Sequence, residues 1–187
     1  MNIGFAMCGS FCTFSQVIPI MKELTDEYNV IPILSQASYS IDSRFGSAQD
    51  NIRTIAEICK TDPLHTLEQV EPIGPKKLLD ALIIAPCTGN TIAKLAHSIA
   101  DTPVTMAAKS HLRNNRPVII AISTNDALAG AAENIGKLLS RKNYYFVPFM
   151  QDDPIGKPSS MIANFAMIPK VLKDSLLGIQ TQPIINV

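Results

Sequence analysis

Pro117-Val118-Ile119-Ile120-Ala121-Ile122-Ser123 carries no polar side chain between its two ends. A strand with one wet face alternates apolar and polar residues, so an unbroken apolar run of strand length marks a strand covered on both faces. Such strands belong to parallel sheets sandwiched between helices, and the flanking sequence repeats the signal. Upstream lie Ile3 to Cys8, Val30 to Leu34 and Leu79 to Ala85; downstream lies Tyr144 to Phe149. Helix-length segments alternate with them. One starts near Ser15 with Val17, Ile20, Met21 and Leu24 on one face, and Ala48 to Cys59 turns Ile52, Ile55, Ala56 and Cys59 inward. Further helices are predicted from Thr88 or Asn90 to about Ile99, from the Thr102-Pro103 start signal to about Asn114, from Asp126 to Arg141 and from Ser160 to Leu177. Residues 60–78 hold three prolines and are expected to form a short strand and a turn; 151–159 form a turn-rich loop, and 180–187 an extended tail. The pattern predicts an α/β chain, a three-layer doubly wound parallel sheet forming one domain over 1–187.

Composition narrows the function classes. A hydrophobic fraction of 47% with 17% charged residues describes a chain that buries a core. Sixteen basic residues balance sixteen acidic ones, so no charge excess points to nucleic acid or to an anionic membrane surface. A near-neutral surface favours a homo-oligomer or a stable protein partner. No apolar run reaches the ~18 residues of a membrane span, and no basic segment precedes the first apolar run. The four cysteines, at 8, 12, 59 and 87, lack the spacing of a metal centre, and the three histidines are scattered, so no metal is expected. Reduced, mostly buried thiols fit a cytoplasmic protein.

In a doubly wound sheet, ligands bind beyond the carboxyl ends of the strands. Four segments occupy that edge. Gly9-Ser10-Phe11-Cys12-Thr13 offers a glycine for close backbone approach and helix-start amides for a phosphate; it lacks both the G-x-G-x-x-G fingerprint and a P-loop lysine, so it suits a monophosphate rather than a triphosphate. Pro86-Cys87-Thr88-Gly89-Asn90-Thr91 follows the central strand with small polar groups and a bend, able to surround a flat polar ligand; as a plain turn, it would use Thr88 or Asn90 as a helix cap. Ser123-Thr124-Asn125 can hydrogen-bond the edge of a heterocycle, with Asp126 placed to cap the next helix. Ser35 adds a hydroxyl beyond the second strand. Arg44 is a candidate for a bidentate carboxylate clamp, or else a partner of Asp42. Lys109 is a second candidate for a carboxylate, or a cation complementing a helix end.

The opening Ile-Gly-Phe-Ala-Met-Cys-Gly-Ser-Phe-Cys-Thr-Phe (3–14) resembles the glycine-serine loop of the flavoprotein superfamily that includes the FMN-dependent cysteine decarboxylases. Residues 85–104, Ala-Pro-Cys-Thr-Gly-Asn-Thr through Ala-Asp-Thr-Pro-Val, are similar to its Pro-Ala-x-Ala-Asn-Thr segment and downstream Ala-Asp. Within that superfamily, Asp-Ser-Arg-Phe-Gly (42–46), Glu-Pro-Ile-Gly-Pro-Lys (71–76), Ser-Thr-Asn-Asp (123–126) and Tyr-Phe-Val-Pro-Phe-Met-Gln-Asp-Asp-Pro (145–154) resemble the B subunits of dipicolinate synthase. The resemblance spans nearly the whole chain. It implies a Rossmann/flavodoxin-like flavoprotein fold and a sporulation role in converting dihydrodipicolinate to dipicolinic acid, in the mother-cell cytoplasm. The partner it implies is a dehydrogenase-like A subunit carrying NAD(P), and the substrate a small dicarboxylate. It further places FMN at Gly9, Ser10, Phe11 and Ser35 (phosphate and ring side), at Thr88, Asn90 and Thr91 (ring and ribityl) and near Asn125. Where the decarboxylases read Pro-Ala-Met-Asn-x-x-Met, this chain reads Ile-Ser-Thr-Asn-Asp-Ala-Leu (122–128), and no histidine matches their catalytic one. Those departures count against decarboxylation. A non-catalytic scaffold or substrate-binding subunit without flavin stays open as an alternative.

Overall fold

The computed structural model describes residues 1–186, so Val187, the end of the predicted extended tail, lies outside the described residues. The chain runs β1 (Asn2–Met7), α1 (Phe14–Leu24), β2 (Asn29–Leu34), α2 (Gln36–Ser40), α3 (Ala48–Cys59), α4 (Leu67–Val70), β3 (Ala81–Cys87), α5 (Gly89–Ala96), α6 (Pro103–Leu112), β4 (Val118–Thr124), α7 (Ala132–Leu139), β5 (Tyr144–Phe146), β6 (Phe149–Met150), β7 (Met161–Ala163) and α8 (Ile168–Leu176). A 3-10 turn at Phe11–Thr13 leads into α1.

The strand order is β2-β1-β3-β4, all parallel, and β5 continues it in parallel beside the first half of β4. The chain leaves β1 toward β2 but leaves β3 toward β4, so the order reverses between β1 and β3. Every residue of β3 and all but the last of β4 are buried, as their unbroken apolar runs require. Helices α1 and α8 cover one face; α5, α6 and α7 cover the other.

Several expectations need correction. The central strand does not stop before Pro86: β3 continues to Cys87, and the Pro86 carbonyl accepts from the Cys8 amide at 3.2 Å. Proline lacks a donor but keeps its acceptor, and the missing bond is absorbed where the β3–β4 register shifts between Ile84 and Cys87. The predicted fifth strand breaks at Val147-Pro148 into β5 and β6. Residues 126–131 form a turn rather than the start of a helix, because the Asp126 carbonyl accepts from Ala129 and Ala131. Residues 160–164 are not helical either. Met161–Ala163 pairs antiparallel with the end of β4 (Ser123↔Ile162, Thr124↔Met161) and with β6. Tertiary pairing overrides local preference there, and the last helix starts only at Ile168, with proline in its first turn. The short helices at 36–40 and 67–70 replace predicted loop and strand. The helix start expected at Thr102-Pro103 is present: Thr102 is the N-cap, and its hydroxyl accepts from the Thr105 amide at 3.2 Å.

Gly74, in the turn that follows α4, packs directly against α6. A Cβ built there would lie 2.6 Å from the Ser110 backbone oxygen of α6 and 3.0 Å from Arg113 Cδ. A helix carbonyl cannot rotate aside, so Gly74→Ala is expected to lower unfolding stability by about 2 kcal/mol in urea titrations. Gly136, within α7, has nothing within 4 Å of such a Cβ. Gly136→Ala should raise stability by about 0.5–1 kcal/mol, since alanine favours a helix over glycine.

Candidate functional site

The loops after β1, β3 and β4 converge at the carboxyl edge of the sheet around a cavity of about 590 Å³, within the range of cofactor pockets. Its walls are Gly9 to Thr13 from the first loop, Thr88, Gly89 and Asn90 from the second, and Ser123 to Asp126 from the third. Phe45 and the hairpin residues Asp152, Lys157, Ser160, Met161 and Ile162 complete it.

Two hydroxyls at capping positions do something else. Ser10 precedes the 3-10 turn yet makes no cap bond; its Oγ lies 2.7 Å from Ser123 Oγ and ties the first loop to the third. Thr88 occupies the N-cap position of α5, also without a cap bond, and donates instead to Thr91 Oγ1 at 3.2 Å. Thr91 in turn donates to Cys8 Sγ at 3.2 Å. The first amides of a helix have no partner inside it. Two helix starts therefore face one cavity without a side-chain cap, and their positive ends are available to an anion or to ring carbonyl oxygens.

Gly9 sits where backbone must come close: a Cβ there would stand 3.1 Å from Ala37 Cβ and 3.7 Å from the Phe11 ring. Gly89 is closed in more tightly, with Asp126 Oδ1 at 2.7 Å and Thr124 Oγ1 at 2.8 Å from its built Cβ. Thr124 donates to Asp126 Oδ1 at 2.6 Å, so Asp126 is held by its neighbour and caps no helix.

The other sequence candidates fall outside the wall. Ser35 caps α2 by accepting from the Ser38 amide, and α2 packs behind Gly9. Pro86 and Cys87 lie buried beneath the floor. Burial, and then the neighbouring Cys8, push the Cys87 thiol well above its ordinary pKa, so it stays protonated. Arg44 does not pair with Asp42, whose carboxylate accepts from the Ala48 amide; its guanidinium lies 4.8 Å from the centre of the Phe45 ring. Lys109 is at the other end of the molecule. A crossover helix runs antiparallel to its strands, so the carboxyl half of α6 returns to their amino edge, where Lys109 lines a separate cavity.

The hairpin residues had no place among the sequence candidates. Lys157 is the one cation among the described lining residues, 3.2 Å from Asp152 Oδ2. Burial raises the Asp152 pKa, but hydrogen bonds from Ser160 and Lys157 outweigh it and hold the carboxyl below its usual range. The available signal was Asp-Asp-Pro followed by Gly-Lys-Pro, opposite charges five residues apart in a turn-rich segment.

A doubly wound domain whose uncapped helix starts meet at the β1/β3 switch point is the architecture of a flavin-type nucleotide binder. The chain belongs to the Flavoprotein family, whose model matches residues 1–171. It is 42% identical over 185 residues to the B subunit of dipicolinate synthase from Bacillus subtilis (strain 168), covering 98% of this chain and 92% of that protein. The crystal structure of the dipicolinate synthase B subunit from Bacillus halodurans C superposes with a TM-score of 0.91 at 39% identity, over 100% of this chain and 96% of that one. The FMN-dependent cysteine decarboxylase SpaF shares the fold, with a TM-score of 0.69 at 20% identity over 94% and 97% of the two chains.

Proposed function

We propose that this chain is the flavin-type subunit of a dipicolinate synthase, binding FMN at the carboxyl edge and acting with a dehydrogenase-like partner that carries NAD(P). The observation that carries the reading is the pair of uncapped helix starts at Ser10 and Thr88, facing one cavity walled by glycines and neutral hydroxyls. That donor set fits a monophosphate and a flat polar ring. Gly9, Ser10 and Phe11 serve the phosphate side, with Ser35 supporting them through α2. Thr88, Gly89 and Asn90 flank the ring from below, and Ser123, Thr124 and Asn125 present polar edges opposite. Pro86, Cys87 and Thr91 shape the floor from behind.

Aromatising a dihydropyridine dicarboxylate removes one hydride and one proton from the ring. Bound FMN would supply the acceptor for that hydride, with the proton released to water and the NAD(P) of the partner as the terminal oxidant. This chain's residues bind and orient. Lys157 takes one substrate carboxylate in place of Asp152, and Phe45 with Met161 excludes water from the ring. Such a subunit acts in the cytoplasm of a spore-forming cell, in keeping with its Bacillus relatives.

The test is a titration of the purified chain with FMN, followed by visible absorption and quenching of flavin fluorescence. Saturable, equimolar binding is the expected result. A chain that stays colourless yet is still required by the partner for turnover would overturn the flavin role and leave a substrate-binding scaffold. With FMN bound, Lys157→Met is expected to weaken pyridine-2,6-dicarboxylate about tenfold, as loss of one charge-assisted contact costs about 1.5–3 kcal/mol before solvent exposure reduces it. Unchanged affinity, read from the perturbation of the bound flavin's spectrum, would remove Lys157 from the substrate site.

A further inference from the structure

The second cavity, of about 410 Å³, opens at the amino edge of the sheet, the end opposite the site described above. It lies where the end of α5, the outer side of α6 and the α7–β5 turn meet. The Asn143 carbonyl in that turn accepts from the amide of Val118, the first residue of β4, which fixes one wall to the sheet.

Its lining is unusual in charge. Lys109, Arg141 and Lys142 all face it, and none of its lining residues is acidic. Among the described residues none of these three cations has a carboxylate within ion-pair distance. Arg141 is already fixed, donating to the Leu95 and Ala96 carbonyls at 3.1 and 2.7 Å and so closing the carboxyl end of α5. Complementing that helix dipole needs one cation, and Arg141 provides it. Lys109 and Lys142 are left over. Leu95, Ile99, Leu112 and the half-buried Tyr144 supply an apolar and aromatic part of the wall, and Ser98, Thr105 and Asn143 add neutral polar groups. Burial raises the Tyr144 phenol above its ordinary pKa, so it adds no competing negative charge.

We infer that this cavity is a second ligand site, separate from the cofactor pocket, for a small carboxylate with an aromatic or other flat apolar body. The walls take the ring, and Lys109, Lys142 and the remaining Arg141 donors take the carboxylate. Three cations without a counter-charge form a binding site for an anion, and the volume suits one or two rings rather than a nucleotide or a peptide. The site stands whether or not flavin binds at the other end of the sheet.

The chain contains no tryptophan, so Ile99→Trp, at a half-exposed lining position, gives a fluorescence reporter confined to this cavity. The full reporter chain is titrated with benzoate, with pyridine-2,6-dicarboxylate and with inorganic phosphate. A saturable change is expected with either carboxylate, at a concentration at least tenfold lower than any response to phosphate, which lacks the ring that the walls take. Adding Lys109→Ala and Lys142→Ala should weaken the carboxylates at least tenfold, whereas adding Lys157→Met should leave the titration unchanged. No saturation by either carboxylate, an equal response to phosphate, or indifference to loss of both lysines would each overturn the site. Thermal melts of the variants confirm that they fold before titration.

Discussion

The Gly9→Asp chain is expected to bind FMN at least a hundredfold more weakly than the parent while still folding. The built Cβ of residue 9 meets Ala37 Cβ at 3.1 Å, a contact that needs a shift of only a few tenths of an ångström. The larger effect is electrostatic. A carboxylate beside a phosphate dianion at the same helix start interacts through about 4 kcal/mol per charge pair at 4 Å in a partly screened site, and about 2.7 kcal/mol suffices for the predicted factor. The carboxylate would also occupy the amides that Ser10 leaves uncapped. Two companions separate charge from crowding. Gly9→Ala should cost about 1 kcal/mol of binding, and Ala37→Gly should restore it; Ala37→Gly should not rescue Gly9→Asp. Flavin fluorescence quenching reads the affinity, and circular dichroism melts report the fold. Parent-like affinity in Gly9→Asp would move the phosphate away from the first loop.

The second large effect is on acid stability. His111 has no exposed surface, and its Nε2 lies 3.1 Å from the Pro117 carbonyl, so that nitrogen carries the proton. Nδ1 is buried without a partner. Burial first, and Arg116 after it, lower the imidazole pKa to about 4; the Pro117 carbonyl and Asp80 only partly oppose them. Below the ordinary histidine pKa of about 6.5 the unfolded chain takes up a proton that the folded chain refuses until about pH 4. Stability is therefore fully present above pH 6.5 and is lost as pH falls toward 4, by on the order of 3 kcal/mol from this one group. Urea unfolding at pH 7.5, 5.5 and 4.5 should show the slope, and His111→Leu should flatten it. A stability independent of pH across that interval would contradict the buried neutral imidazole.

The sheet was legible because β3 and β4 are covered on both faces, which leaves unbroken apolar runs that no surface element produces. The first-, second- and third-loop parts of the cavity followed from them, since position at a strand's carboxyl end already selects Gly9, Ser10, Thr88 and Asn125. Two things were hidden for separate reasons. Met161-Ile162-Ala163 has no local strand signature; its pairing with Ser123 and Thr124 is a long-range choice, so Lys157 and Asp152 came into the cavity unannounced. Ser10 and Thr88 occupy capping positions, and only coordinates reveal hydroxyls turned toward Ser123 and Thr91. Lys109 differs from these, because helix polarity alone sends the carboxyl half of α6 to the far edge, and that polarity is legible in the order of strand and helix.

The small hairpin has a further meaning. Its base is clamped, β7 to β4 on one side and to β6 on the other, and the loop between Met150 and Met161 is tied to β4 and the turn after it through its last residues, Ser160 donating to the Thr124 carbonyl and Ser159 accepting from Leu128. Lengthening, trimming or rewriting that loop alters the roof of the cavity without loosening the building under it. Lineages that share this sheet are free to diverge there first, and a hairpin transplanted from one member to another should carry its donor's substrate preference into the recipient.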